Sequence, residues 1–237
     1  FQVKNHSNLW YNLTMRISNY ISDSIKSPFR ERNEDKAFVI ETDSYKLFLL
    51  FDGVGSAIHS QEAVEIASRF ISNNYTNYEQ GEKFQLSKLM YDAHVEILNS
   101  KLADALSTYV AVFISNEKDE EISISSMGDS RLYGVSNQYI FQYTEDDIIP
   151  NHKNAITKSL GMLKLMDTDF VQKDILAKES RYLLSTDGFY NVMEKNMQKF
   201  YDIFNFTKLV NAKKTLRKNI LGNNSDDATY ILIETHV

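Results

Sequence analysis

Short runs of β-branched and aromatic residues, many of them alternating with polar ones, recur along the chain. They fall near 14–21, 36–42, 45–51, 109–115, 121–127, 132–135, 139–143, 170–173, 181–185 and 229–234. Runs of this length and make-up predict strands. Two longer segments change period. Ala63, Ile66, Ala67, Phe70 and Ile71 fall at i, i+3, i+4, i+7 and i+8, the stripe of an amphipathic helix. Leu86, Leu89, Met90, Ala93, Ile97 and Leu98 continue the same period and predict a second helix reaching about 105. Two more helices are predicted over 196–204 and 206–221. Strands, a helix pair, many strands, helices and a last strand do not make an alternating βαβ order. The pattern predicts an α+β fold, an antiparallel β-sandwich of two sheets flanked by helices.

The bulk properties narrow this only where they exclude something. The 237 residues fit one domain spanning 1–237, with 1–17 an N-terminal extension of no assigned structure. An apolar fraction of 43% and 28 Phe and Tyr residues suffice for a large core. A net charge of −6 argues against a nucleic-acid partner, and no apolar window is long enough to span a bilayer. The absence of cysteine removes disulfide scaffolds, thiolate metal sites and every cysteine-nucleophile hydrolase. A cytoplasmic monomer is expected. The five histidines show no metal-ligand spacing and are read as structural or exposed.

The polar residues that interrupt the strands carry the chemistry. Glu34-Asp35 precedes one strand-like run, Asp52-Gly53 ends the next, and Gly128-Asp129, Asp187-Gly188 and Asp226-Asp227 flank three more. Taken singly, Asp before Gly is ordinary turn chemistry. Repeated five times, the device can gather carboxylates on one sheet edge, where they repel one another unless cations neutralise them. Magnesium and manganese prefer such all-oxygen ligands, and the Gly53 carbonyl is a further candidate.

Five segments together resemble the protein phosphatase 2C-type, metal-dependent Ser/Thr phosphatases, in their bacterial form. They are Arg30-x-x-Asn33-Glu34-Asp35, Asp52-Gly53-x-Gly55, Gly128-Asp129-Ser130-Arg131, Ser185-Thr186-Asp187-Gly188 and Asp226-Asp227-x-Thr229. Ser107-Thr108 and 156–161 are similar to two further family segments, so the resemblance runs from about Ser18 to the C-terminus. It implies that Asp52 bridges two Mg²⁺ or Mn²⁺ ions, with Glu34 and the Gly53 carbonyl on one and Asp187 and Asp226 on the other. Asp35 would ligate directly or hold a ligand in place, and Asp129 with Asp187 would hold a weaker third ion. Arg30 would grip the substrate phosphate through its guanidinium fork. The stretch 139–170 resembles the family's flap beside the active site.

The resemblance implies hydrolysis of phosphoserine and phosphothreonine in a phosphorylated protein, opposing a cognate Ser/Thr kinase. The chemistry suits the residues. Phosphate monoester hydrolysis needs accelerations up to about 10²¹-fold, and a two-metal site supplies an activated water without a protein nucleophile. Departures from the family pattern are Val54 where many members have His, Ser56 for a Gly, Asp227 for a common Asn, and Asp146-Asp147 for Asp-His. The alternative is a catalytically silent relative that binds a phosphoprotein as a regulator. A non-phosphatase metallohydrolase fits the ligands but not the five-part order.

Overall fold

The computed structural model describes residues 16–80, 83–116, 121–150, 152–176 and 178–236. The first half of the chain runs β1 (Arg16–Ile25), β2 (Lys36–Glu41), β3 (Tyr45–Gly53), α1 (Ser60–Asn74), a short hairpin β4 (Glu79–Gln80) and β5 (Lys83–Phe84), and α2 (Leu86–Asn99). A run of strands follows: β6 (Ser107–Ser115), β7 (Glu121–Met127), β8 (Arg131–Val135) and β9 (Ile140–Gln142). Then come a second hairpin, β10 (Ile148–Ile149) and β11 (His152–Ile156), and strands β12 (Lys173–Leu176) and β13 (Arg181–Ser185). Three helices, α3 (Asp187–Glu194), α4 (Met197–Phe206) and α5 (Leu209–Ile220), lead to β14 (Ala228–His236).

Two five-stranded antiparallel sheets form, in the orders β12-β7-β6-β3-β2 and β1-β14-β13-β8-β9. Strand β3 shows why its sequence is apolar without alternation. Phe48 and Leu50 point into the core between the sheets with Val112, Leu132, Leu184 and Ile231. Leu47, Leu49 and Phe51 point the other way, onto Ala63, Ala67, Leu89 and Met90 of α1 and α2. A strand buried on both faces has no solvent side to mark with polar residues. The second sheet does the same with Tyr230 and Leu232, which meet Phe189, Phe204 and Leu216 of α3, α4 and α5. The result is helix, sheet, sheet, helix. Each fully buried Phe or Leu in these layers contributes about 1.5–3 kcal/mol.

The expected strands and helices appear with local differences. Helix α2 stops at Asn99, short of 105, because Lys101 and Asp104 adopt left-handed φ of 58° and 56°. Strand β12 starts at Lys173 because Phe170 is buried against Tyr91 and His94, and the Gln172 carboxamide accepts the Leu86 N–H at the start of α2. Helix α3 was not expected. Its Asp187-Gly188 start reads as a turn, but Phe189, Val192 and Met193 pack it onto the second sheet. The proposed extension 1–17 lies almost wholly outside the described residues.

Candidate active site

Asp52 does not turn out of its strand at the Asp-Gly pair. It stays in β3, paired with Thr108, and Gly53 pairs with Ser107. Gly53 suits a crowded place: a Cβ there would lie 3.0 Å from the Cβ atoms of both Glu34 and Ser60, which would have to give way. Its N–H donates to the Glu34 carbonyl at 3.3 Å, which fixes the 26–35 loop beside β3. Gly55 makes room for Arg30, since a Cβ there would fall 2.1 Å from Nη2.

Arg30 reaches across to the start of β14. Its Nε and Nη2 donate to Asp226 Oδ1 and Oδ2 at 3.0 and 2.7 Å, and Nη1 donates to the Gly55 carbonyl at 3.3 Å. Asp187 opens α3, where the helix N-terminus favours a negative charge. Gly188 lets α3 and the β14 entry interlock, because a Cβ would lie 2.1 Å from the Asp227 carbonyl oxygen. Asp129 follows Gly128, whose φ of 90° and approach to Thr108 both need glycine.

These elements surround a cleft of about 440 Å³. Arg30, Asp52, Gly53, Asp129, Asp187 and Asp226 line it, so six of the eight expected residues share one cavity. Glu34 and Asp35 sit behind this lining, Glu34 against Gly53 and Asp35 close enough to Asp52 for their charges to interact. The electrostatics are those of crowded acids. Burial, then Asp35, Asp187 and Asp129, push the Asp52 carboxyl well above the usual range. Asp35 is raised well above it too, chiefly by burial. Asp187 is pushed to about 7 by burial, Asp129 and Asp226, and Asp129 to about 6 by burial and Asp146.

Among the described residues no three such side chains converge into a ready metal cage. The carboxylates have instead taken the nearest donors, Asp226 from Arg30 and Asp35 from the Thr186 hydroxyl at 2.9 Å. The donor set nonetheless fits a hard divalent cation. It is all oxygen, and Asp35 Oδ1 is buried with no hydrogen-bond partner.

The protein phosphatase 2C family model matches residues 30–221. The chain belongs to the protein phosphatase 2C family. Its fold is that of solved members. It is similar to the serine/threonine phosphatase Stp1 from Staphylococcus aureus, with TM-score 0.79 and 19% identity, covering 92% of this chain and 95% of that one. The catalytic domain of the serine/threonine protein phosphatase PstP, solved in complex with two manganese ions, superposes with TM-score 0.74 at 18% identity, covering 94% and 99%. PppA, described as a regulatory component of the type VI secretion system in Pseudomonas aeruginosa, gives 0.71 at 16%, covering 94% and 98%. No curated protein sequence matches.

Within this phosphatase 2C domain several residues matter that the motifs alone did not single out. Asp227, noticed only as a departure, is buried and ties the loop that carries Arg30 and Glu34. Its Oδ1 accepts the Ser27 N–H at 2.7 Å and its Oδ2 the Glu34 N–H at 2.9 Å. Asn191 lines the cleft one turn after Asp187, a helical spacing that becomes legible only once α3 is known. Tyr190, also on α3, neighbours Asp129 and stacks on the Arg131 guanidinium at 3.7 Å. Arg131 in turn holds Asp146 at 2.6 Å, tying the start of the flap-like stretch to the Gly-Asp-Ser-Arg turn. Val54 lines the cleft where a histidine was noted in relatives. His59 sits instead 3.5 Å from Glu62, and the side chain of His152 is exposed.

Proposed function

We propose that this chain is a divalent-metal-dependent phosphoprotein phosphatase acting on phosphoserine and phosphothreonine, in opposition to a Ser/Thr kinase. The observation that carries this reading is one cleft in which a single arginine meets the carboxylates of Asp52, Asp129, Asp187 and Asp226. Such a surface repels a phosphate unless cations are added, and Arg30 by itself does not balance it.

Asp52, Glu34, Asp187, Asp226 and the Gly53 carbonyl would hold two Mg²⁺ or Mn²⁺ ions, with Asp35 supporting Asp52 and Asp129 contributing to a third site beside Asp187. When bound, the ions supply a water of lowered pKa and positive charge against the phosphoryl oxygens. The protein supplies position. The β3–β6 ladder holds Asp52, Asp227 holds the loop of Arg30 and Glu34, and α3 aims Asp187. Arg30, leaving Asp226, offers two parallel N–H donors to the phosphate oxygens and fixes the monoester for attack.

The test is turnover of a phosphoserine peptide and of p-nitrophenyl phosphate with manganese, against a chelated control. Hydrolysis of both, abolished by chelation, supports the reading. Tight phosphopeptide binding without turnover would assign the chain a regulatory role instead.

A further inference from the structure

Helix α5 presents a continuous basic stripe to solvent. Val210, Lys213, Lys214, Arg217 and Lys218 fall at i, i+3, i+4, i+7 and i+8, and all five are exposed. The opposite stripe, Leu209, Ala212, Leu216 and Ile220, is buried against the second sheet. Large apolar side chains bracket the basic stripe: Phe206 and Val210 at one end, 78% and 77% exposed, and Leu221 at the other, 60% exposed.

The charge is concentrated here against the trend of the whole chain. Segment 195–221 holds seven Lys and Arg and one acidic residue, whereas the remainder holds 19 basic and 31 acidic residues. Arg217 pairs with Asp23 at 2.8 Å. Lys213, Lys214 and Lys218 have no ion-pair partner among the described residues. Interaction with the helix dipole accounts for basic residues in the last turn only, and so leaves Lys213 and Lys214 unexplained. Beside the stripe, Lys195, Asn196, Lys199, Asn219 and Asn223 line a cavity of about 350 Å³, wide enough for a phosphate headgroup.

We propose that the α4–α5 face docks on an anionic phospholipid surface. Lysines flanked by solvent-facing Phe, Val and Leu are what such a surface takes up, the charges at the headgroups and the apolar side chains at the acyl boundary. A nucleic acid or a purely acidic peptide would use the lysines and leave Phe206, Val210 and Leu221 without a partner. A surface of this make-up lies on the bilayer without crossing it, and the attachment is peripheral and reversible. The α5 stripe leads through 221–225 to Ser225 and Asp226 on the cleft, which brings the site near membrane-associated phosphoproteins.

The experiment is co-sedimentation of the full chain with phosphatidylcholine vesicles, with and without phosphatidylglycerol, alongside p-nitrophenyl phosphate turnover. Binding should require phosphatidylglycerol and vanish in about 1 M salt. The triple variant Lys213→Glu/Lys214→Glu/Lys218→Glu should bind at least about 100-fold more weakly, since each lysine at an anionic surface contributes about fivefold. Phe206→Ser/Val210→Ser should also weaken binding. A control with the same charge change elsewhere, Lys83→Glu/Lys101→Glu/Lys178→Glu, should bind like the wild type. Turnover, where present, should be unchanged in all three, which separates this surface from the catalytic reading. No preference for anionic vesicles, or equal loss in the control, overturns the proposal. So does retention by poly-glutamate or duplex DNA without vesicle binding, which assigns the face to a different partner.

Discussion

The guanidinium of Arg30 occupies both carboxylate oxygens of Asp226, Nε on Oδ1 at 3.0 Å and Nη2 on Oδ2 at 2.7 Å. Arg30 is the proposed phosphate clamp and Asp226 a proposed metal ligand, so the two duties compete for one contact. Arg30→Ala should raise KM for a phosphopeptide about 10-fold or more, the worth of a charge-assisted hydrogen bond. The same change should tighten manganese binding, because Asp226 is released. Arg30→Lys keeps the charge without the fork and should recover KM only in part. Titration calorimetry beside steady-state kinetics checks both; unchanged KM and unchanged manganese affinity would remove the assignment.

Asp52 faces Asp35, Asp187, Asp129 and Asp226 from the middle of the cluster. Asp52→Asn should lower turnover at least about 10²-fold, because in the proposed site this one carboxylate would orient both ions. It should also stabilise the metal-free protein. Relief of about 1 kcal/mol of repulsion corresponds to a Tm rise of about 2–4 °C for a chain of this size. Thermal scans in chelator measure this, and a lower Tm for the variant would count against a repulsive cluster.

Asp129 sits in the β7–β8 turn, beside Tyr190 and close enough to Asp187 for the two charges to repel. Asp129→Ala should reduce turnover more than it reduces binding of the two core ions. Calorimetry should then lose one weak manganese site and keep two. Loss of all metal binding would move Asp129 into the core of the site.

Asp227 accepts two backbone N–H groups, from Ser27 and Glu34, in a buried setting. Asp227→Ala leaves both donors unpaired at about 1–3 kcal/mol each and frees the loop bearing Arg30. The variant should lose at least about 4 °C in Tm and rise in KM. Asp227→Asn retains one acceptor oxygen and should lose less on both counts. Equal behaviour of Ala and Asn variants would show that the carboxylate does not hold the loop.

His94 is fully buried and its Nδ1 accepts the Gly161 N–H at 3.0 Å, between the rings of Tyr91 and Phe170. Burial lowers its pKa below the usual 6.5. A depressed histidine binds its proton more readily when unfolded, so it contributes stability above about pH 6.5 that is lost as pH falls towards its folded value. One such proton changes stability by at most about 1.4 kcal/mol per pH unit. Between pH 7 and pH 5 the wild type should therefore lose more Tm than His94→Gln, which has an acceptor and no titration. Parallel slopes for the two proteins would place the acid sensitivity elsewhere.

Most strands were legible because a strand buried on both faces, such as β3, writes an apolar run such as Leu47–Phe51 that no turn or helix explains. The candidate carboxylates were legible because each interrupts or flanks such a run. Neither α3 nor the hairpins β4–β5 and β10–β11 were, for two different reasons. The hairpin strands are mostly two residues long and too short to show a period. Helix α3 begins on Asp187-Gly188, local turn chemistry that packing of Phe189 and Met193 overrides.

The amino-acid sequence by itself determined which residue types meet in this protein: acids at strand ends, one arginine ahead of them, and no thiol. Only the tertiary structure decided that Arg30 meets Asp226 across 196 positions, that Asp35 rests on Thr186, and that Asp227 ties the loop beside them. Like charges do not gather by local preference. They are brought together here because the antiparallel ladders and three apolar layers, each worth far more than the repulsion, leave the strand ends one place to go.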